Sequence, residues 1–585
     1  GWGGGVTVGL RKDERFVVQG LELDPRKVEN SRRFLFDIGS NGPVSVLHWD
    51  GHHLPYAENL INLIVAEDRG QIGTDEMLRV LAPRGVLLLK RNGEWEKTVK
   101  PVPGEIDEWT HYLYGPTNNA VSGDGRVNSP EHIQWVSGPI FARSHEINSS
   151  LAGMVTASGR LFYIWDEGPI AVIDPRMPQE WSLIARDAFN GMLLWKRHIP
   201  RWGWPQWHDS TLWAEDPMIS GRMLVNSPAT LPRRMVASAD RLYITLGYDA
   251  PVSVLDAVTG KELMVLEGTA LTDEILLDGE WLVLRVRTPE SPPDPDFWER
   301  MADVPRGRVT VLDAVSGQKK WQGPADDMAP LTLAVSDGKV YYSNYREIVC
   351  LDLVSGRERW RSMPVESPSG RKTYGGTLVA DDGVVLYTNM EGNTYSFAGE
   401  TGVLLWKGPF NKGVGADNPP DIFLANDLVW LGETDPARLG SDRDLQNTAI
   451  DRQGLDPLSG RIVRNISVPC LISPGHHYRC YRSKATQDFL LLPKRGVEFL
   501  DLEGDDHMRN DWLRSTCTYG VLPANGLLYT APHQCVCYPG VLLSNFNVTA
   551  PGLQAEMSDL HPAPGNRLEK GPAYGRKRGD LRNGK

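Results

Sequence analysis

Histidine and cysteine, the side chains best suited to holding a soft metal or moving a proton, gather in three short stretches of the C-terminal third. They are Pro474-Gly-His476-His477-Tyr478-Arg-Cys480 with Lys484 four residues on, Cys517-Thr-Tyr519, and Pro532-His533-Gln-Cys535-Val-Cys537. Imidazole and thiolate are ligands for zinc and copper, so His476, His477, Cys480, His533, Cys535 and Cys537 are candidate metal ligands. Their spacing fits no standard finger, because Cys535-x-Cys537 is tighter than the usual two-residue gap. No Cys-x-x-Cys-His occurs, which excludes covalently attached c-type haem. In an oxidising compartment, disulfides among Cys480, Cys517, Cys535 and Cys537 explain the clustering as well, and reduced core cysteines are a third reading. His476, His477, Lys484 and His533 are the candidate acid–base groups, on condition that the fold brings them to one pocket.

Two other stretches carry chemistry. Trp202, Trp204, Trp207 and Trp213 fall within one short loop. Flat aromatics there suit the C–H faces of a sugar or a planar cofactor, or else pack on one another as a small core. Arg143 with His145, and Arg233 with Arg234, lie between strand-like segments. An arginine pair there serves either as a carboxylate clamp or as a salt-bridged edge.

The elements that must position these groups announce themselves by recurrence. Asp313-Ala-Val-Ser-Gly317-Gln-Lys-Lys-Trp321 is repeated as Asp187…Gly191…Trp195 and Asp352…Gly356…Trp360. Asp256…Gly260 and Asp456…Gly460 keep the turn but put Met264 and Arg464 where the Trp should be, and Glu400-Thr-Gly402…Trp406 loses the Asp. Each copy reads as a hairpin: Asp caps the turn, Gly takes the positive φ, and alternating apolar residues flank both. The copies recur at the spacing of four-stranded propeller blades. Closing such blades into a ring removes their exposed edges.

On these Asp-x-x-x-Gly-x-x-x-Trp copies, the chain resembles the pyrroloquinoline-quinone-like β-propellers. That group includes quinoprotein alcohol dehydrogenases and non-enzymatic outer-membrane assembly lipoproteins. Counting Trp135 as an unpaired first copy and Glu498-Phe-Leu-Asp501 as a degenerate last one gives eight blades over residues 131–550, with seven as the alternative. A working quinoprotein oxidoreductase would need a calcium-binding cluster, a catalytic Asp and a vicinal Cys-Cys pair. The sequence has no Cys-Cys dipeptide, which weighs against bound pyrroloquinoline quinone.

Residues 1–100 have a different texture, with strands and helices alternating as in an α/β unit. Strands are expected at 16–22, 44–50, 60–65 and 86–89, and helices at 25–36 and 75–81. This order resembles a class I S-adenosylmethionine-dependent methyltransferase, a Rossmann-like fold. The resemblance puts Gly1, Gly3 and Gly5 on the glycine loop, Glu22 on the ribose hydroxyls and Asp50 on the adenine, with S-adenosylmethionine as the implied cofactor. The first strand and the closing hairpin of that fold are missing, so the unit reads as incomplete and the chain as a fragment. Residues 101–130 read as a linker, whose segment around Trp109 and His111 is apolar enough to dock on the propeller. Residues 551–585 read as a flexible basic linker, leading in look-alike proteins to a further propeller.

Bulk properties bound the rest. A net charge of -12 over 585 residues argues against a nucleic-acid surface. The longest apolar runs are too short to span a membrane. The whole architecture resembles large exported proteins of planctomycete-type bacteria, which implies a periplasmic or cell-surface location. The expected function is a binding or scaffold propeller, with a protein or saccharide ligand on its face. The alternatives are a methyltransferase and a carbohydrate-active enzyme.

Overall fold

The computed structural model describes residues 3–143, 150–170, 178–203, 206, 228–291, 304–366, 376–411, 419–432, 449–472, 481–533 and 542–552. The chain forms two compact units, one comprising Gly1–Val102 and the other Pro103–Pro551.

The first unit alternates as expected: α1 (Gly3–Gly9), β1 (Val18–Glu22), α2 (Pro25–Asp37), β2 (Val44–His48), β3 (Ile61–Ala66), α3 (Thr74–Val80), β4 (Leu81–Arg91) and β5 (Glu94–Val99). Asp24 caps α2 by accepting the Arg26 amide, with Pro25 at the first helical position. The strands divide between two small sheets: β1 runs parallel to β2, and β3 runs parallel to β4. α3 passes directly into β4, which begins at Leu81 rather than at 86, and Arg84 adopts φ 68° there. One expectation is corrected: the chain does not leave its last strand without a hairpin, because β4 pairs antiparallel with β5.

The second unit is built from antiparallel sheets. Of the ten sheets among the described residues, two belong to the first unit and eight follow here, at 151–198, 235–265, 272–322, 334–361, 377–407, 422–468, 484–501 and 521–550. We number them I to VIII. The first strand of each lies beside the first strand of the next, and that of VIII lies beside that of I, so the series closes into a propeller-like ring. Short β6 (Val121–Ser122) joins sheet VII, and β7 (His132–Ser137) supplies the outermost strand of VIII. Trp135 therefore does not open a sheet of its own; it lies on the strand that completes the last one.

The repeat explains how neighbouring sheets hold together. In each Asp-Gly turn the Asp carboxylate accepts following backbone amides, as Asp313 does from Ser316 at 2.8 Å and Asp456 from Ser459 at 2.7 Å. The turn glycines sit near φ 70°, and the Trp of the preceding sheet lies flat against them. A Cβ on Gly402 would stand 2.4 Å from the Trp360 ring, so both conformation and space demand glycine.

The same Trp donates its indole N–H to the carbonyl after the turn's Asp position. Trp135 bonds Ala188 at 2.9 Å, Trp195 bonds Ala257 at 3.1 Å, and Trp321 bonds Leu353 at 2.8 Å. Trp360 reaches Gly399 at 3.1 Å, and Trp406 reaches Pro457 at 2.8 Å. Where the sequence departs from the repeat, another donor meets the same carbonyl. Arg464 donates to Leu502, and at the Met264 junction the Tyr243 hydroxyl donates to Ala314 at 2.9 Å. Seven junctions are thus latched, each through one carbonyl.

Replacing Trp321 with Phe keeps the ring but leaves the Leu353 carbonyl without its donor. The expected loss is about 1–3 kcal/mol, read as a lowered denaturant midpoint. Gly402→Ala is expected to cost more, because it adds a clash to backbone strain. Unchanged midpoints for both would refute the latch.

Candidate functional site

The ring axis is organised by the segment 105–126. The inner edge of every first strand carries backbone amides that must find acceptors. In sheets I to VIII in turn, the segment supplies them. Thr156 N donates to Trp109 O at 2.8 Å, Ala237 N to Thr110 O at 3.1 Å, and Leu277 N to His111 Nε2 at 3.0 Å. Val335 N donates to Pro116 O at 2.8 Å and Ala380 N to Thr117 O at 3.0 Å. Leu424 N reaches Asn119 Oδ1 at 3.0 Å, Ala485 N reaches Ala120 O at 2.9 Å, and Gly526 N reaches Asp124 Oδ2 at 2.6 Å. The circuit closes on itself, because Asp124 Oδ2 also accepts the Asp107 amide at 3.0 Å, and Asp107 O accepts Asn525 N at 2.6 Å.

All eight donors stand at or just beyond the C-terminal end of a first strand. The segment therefore closes one mouth of the ring. At the other ends of the first strands lies buried charge. Arg233 and Arg234 precede sheet II, Asp273 and Glu274 begin sheet III, and Arg482 precedes sheet VII. Arg233 Nη2 donates to Asn118 Oδ1 and, at 3.4 Å, to Leu331 O. Asn118 in turn donates to Leu333 O at 3.0 Å and Leu378 O at 3.1 Å, joining this layer to the segment below. Arg482 Nη2 donates to Thr377 Oγ1 at 3.1 Å, reaching across to sheet V. Glu274 accepts the Leu331 amide at 2.9 Å and lies 3.7 Å from Arg233 Nε. Its cross-strand partner is Arg285, which pairs with Asp273.

Burial sets the protonation of this layer. It pushes Glu274 up to about 7, against the pull of Arg233 and Arg285. Burial, followed by the positive charge of Arg233, drives His111 down to about 3. With Nε2 accepting the Leu277 amide, neutral His111 carries its proton on Nδ1, 2.7 Å from Thr110 Oγ1. His111 is thus a structural acceptor.

Among the acid–base candidates, Lys484 is 1% exposed. Its Nζ donates to Val521 O at 2.6 Å and lies 4.0 Å from the Tyr519 ring centroid and 5.2 Å from that of Trp109. Burial, with Arg482 adding to it, holds its pKa well below the ordinary lysine value. Lys484 ties sheet VII to sheet VIII at the junction where sheet VII, whose fourth strand is the inner β6, has among the described residues no outermost strand to carry a latch. His533 is buried, and its carbonyl accepts the Ala142 amide at 3.3 Å. His476, His477, Cys480, Cys535 and Cys537 lie outside the described residues, as do His145, Trp204, Trp207 and Trp213. Among the described residues no group of three His, Cys, Asp or Glu is arranged to hold a metal. Trp202 is buried edge-on against Trp181 and is core rather than a stacking platform. Arg143 pairs with buried Asp166 at 3.1 Å and is no clamp.

In the first unit, Gly1 lies outside the described residues, and Gly3 and Gly5 belong to α1 rather than to a turn. Glu22 ends β1 at 9% exposure, accepting the Asp24 amide at 3.1 Å. Burial raises its pKa, but the Asp24 amide and Lys27 outweigh that and hold it below the ordinary value. Asp50 accepts the His52 amide at 3.0 Å. The residues that sequence reasoning missed are Asn118, Asn119, Asp124, Glu274 and Arg482. The adjacent acids Asp273-Glu274 opposite Arg285-Val-Arg287 were the one legible signal.

The two axial titrations have opposite signs. His111 binds its proton more readily unfolded, so it withdraws stability as pH falls below 6.5 toward 3. Glu274 binds its proton more readily folded, so it withdraws stability as pH rises from 4.5 through 7. His111→Asn should flatten the acid limb of a melting-temperature profile, and Glu274→Gln the limb between pH 4.5 and 7. Profiles that superimpose on the parent would contradict both assignments.

Comparison with known proteins agrees with the repeat. Residues 179–439 match the family described as outer membrane protein assembly factor BamB. No curated protein sequence matches the chain. Among solved structures, a europium-containing methanol dehydrogenase is similar at 12% identity and TM-score 0.43, over 76% of this chain and 91% of that one. Quinohemoprotein alcohol dehydrogenase from Comamonas testosteroni is similar at 12% identity and TM-score 0.44, over 79% and 83%. BamB from Moraxella catarrhalis is similar at 14% identity and TM-score 0.33, over 72% and 97%. Residues 179–439, which carry most copies of the repeat, are thus similar to that propeller family.

Proposed function

We propose that the second unit is an eight-bladed propeller that works by binding, as a rigid receptacle closed at one mouth and open to a ligand at the other. The observation that carries this reading is the circuit of the segment 105–126 past all eight first strands. It supplies the preorganisation a binding surface needs. The axial groups that could have done acid–base chemistry are occupied in holding it: His111 accepts a backbone amide, and Lys484 bridges two sheets. The match of residues 179–439 to an assembly-factor family supports binding over turnover, and with it an exported location.

Among the described residues, the donor set at the open end does not suit a calcium–quinone pair. Arg233 and Arg482 are cationic, and Glu274 is already engaged by the Leu331 amide. With pyrroloquinoline quinone, Ca²⁺ and a panel of alcohols, the full chain should reduce no artificial electron acceptor. Substrate-dependent dye reduction would overturn the reading.

For the first unit we propose a methyltransferase-like scaffold. Buried Glu22 spends its carboxylate on its own turn, and Gly3 and Gly5 are helical. Calorimetry with S-adenosylmethionine should therefore give no binding heat. Micromolar affinity that disappears in Glu22→Ala would make the unit a working cofactor site.

A further inference from the structure

We propose that the open end of the axis is a site for a compact oxyanion, a carboxylate or a phosphate, held between the guanidinium groups of Arg233 and Arg482; this rests on the reading of the axis as a receptacle.

Four observations lead there. Arg233 is 1% exposed and Arg482 is 5% exposed, so bulk water does not solvate either guanidinium group. Among the described residues, Arg233 Nε and Nη1 and Arg482 Nε have no hydrogen-bond partner. Buried guanidinium protons without acceptors are costly, and the usual solution is an anion. Both arginines stand at the same level, immediately before the first strands of their sheets, on nearly opposite sides of the eight-sheet ring. They are close enough for the charge of Arg482 to depress the ionisation of Arg233. Two like charges brought together in a buried space are stable when a negative group lies between them.

Among the described residues, no carboxylate satisfies that need. Glu274 pairs with Arg233, but its Oε2 stands 3.7 Å from Arg233 Nε, beyond hydrogen-bond reach. Its other oxygen is taken by the Leu331 amide. No carboxylate pairs with Arg482 among the described residues, where its Nη2 meets only the Thr377 hydroxyl. Asn118 fixes the Arg233 guanidinium from below, so one side of the site is preset by the segment that closes the other mouth. The arrangement has the fixed cationic donors of an oxyanion site and lacks the set of oxygen ligands a divalent cation would require.

The test is calorimetric titration of the full chain with sodium acetate and, separately, sodium phosphate, each against sodium chloride at matched ionic strength. The expected result is saturable heat with at least one oxyanion and none with chloride. Acetate alone would assign the site to carboxylates, phosphate alone to phosphates, and both to oxyanions generally. Arg482→Gln should weaken the affinity at least tenfold while the melting temperature stays near the parent's. Arg482→Lys should restore part of it, which a purely structural role would not. Absence of saturable heat from either oxyanion, or an affinity unchanged in Arg482→Gln, would overturn the proposal. That failure would leave the binding reading standing, whereas quinone-dependent turnover would remove that reading and leave the titration result intact.

Discussion

Eight backbone amides pointing at one axis are a constraint that no single sheet can meet. Each first strand pairs on its outer side and faces the axis with amides that require acceptors. In this protein one stretch of chain, 105–126, meets all eight, using main-chain oxygens for five sheets and the side chains of His111, Asn119 and Asp124 for the others. The consequences spread outward. The first strands are held at a common level, so the latches between successive turns can form with one geometry. The axis also acquires a closed end.

Closing one end changes the electrostatics of the other. Charges at the N-terminal ends of the first strands cannot be solvated from below, so burial lowers Arg233 and raises Glu274 from their ordinary values. Glu274 rises toward neutrality and His111 falls out of the physiological range for the same reason, loss of water, with Arg233 acting on both. The buried charge is a consequence of the closure rather than a separate device. Lys484 belongs to the same account: its Nζ donates to Val521 O and lies over two aromatic faces where the ring lacks a latch.

Much of the ring was legible because the repeat encodes local physics. The Asp, the positive-φ Gly and the Trp each have one job, and the sequence states all three at fixed spacing. The departures were legible only as departures. That Arg464 donates where Trp would, and that Tyr243 covers for Met264, depends on a neighbouring sheet that the local sequence does not reveal. Trp135 was read as a beginning because it comes first in the chain, whereas it completes the last sheet. The segment 105–126 was legible as apolar and dockable, but its circuit was not, since most of its bonds come from backbone oxygens that any residue carries. Arg233 and Arg234 were noticed as a pair, yet their burial, and the opposing position of Arg482, arise only from ring closure. The α/β texture of the first unit was plain from its alternating segments, whereas its division into two small sheets and its β4–β5 hairpin were not.

The central claim is that the segment 105–126 is part of the ring's fold rather than a strap laid on it. Native-state hydrogen exchange, resolved at Thr156, Ala237, Val335, Ala380, Leu424 and Ala485, tests it directly. The account predicts that these amides, drawn from six different sheets, exchange together and only with the slowest, global opening of the unit. Fast exchange at these positions while the outer strands stay protected would show a segment that detaches on its own, and would contradict the account.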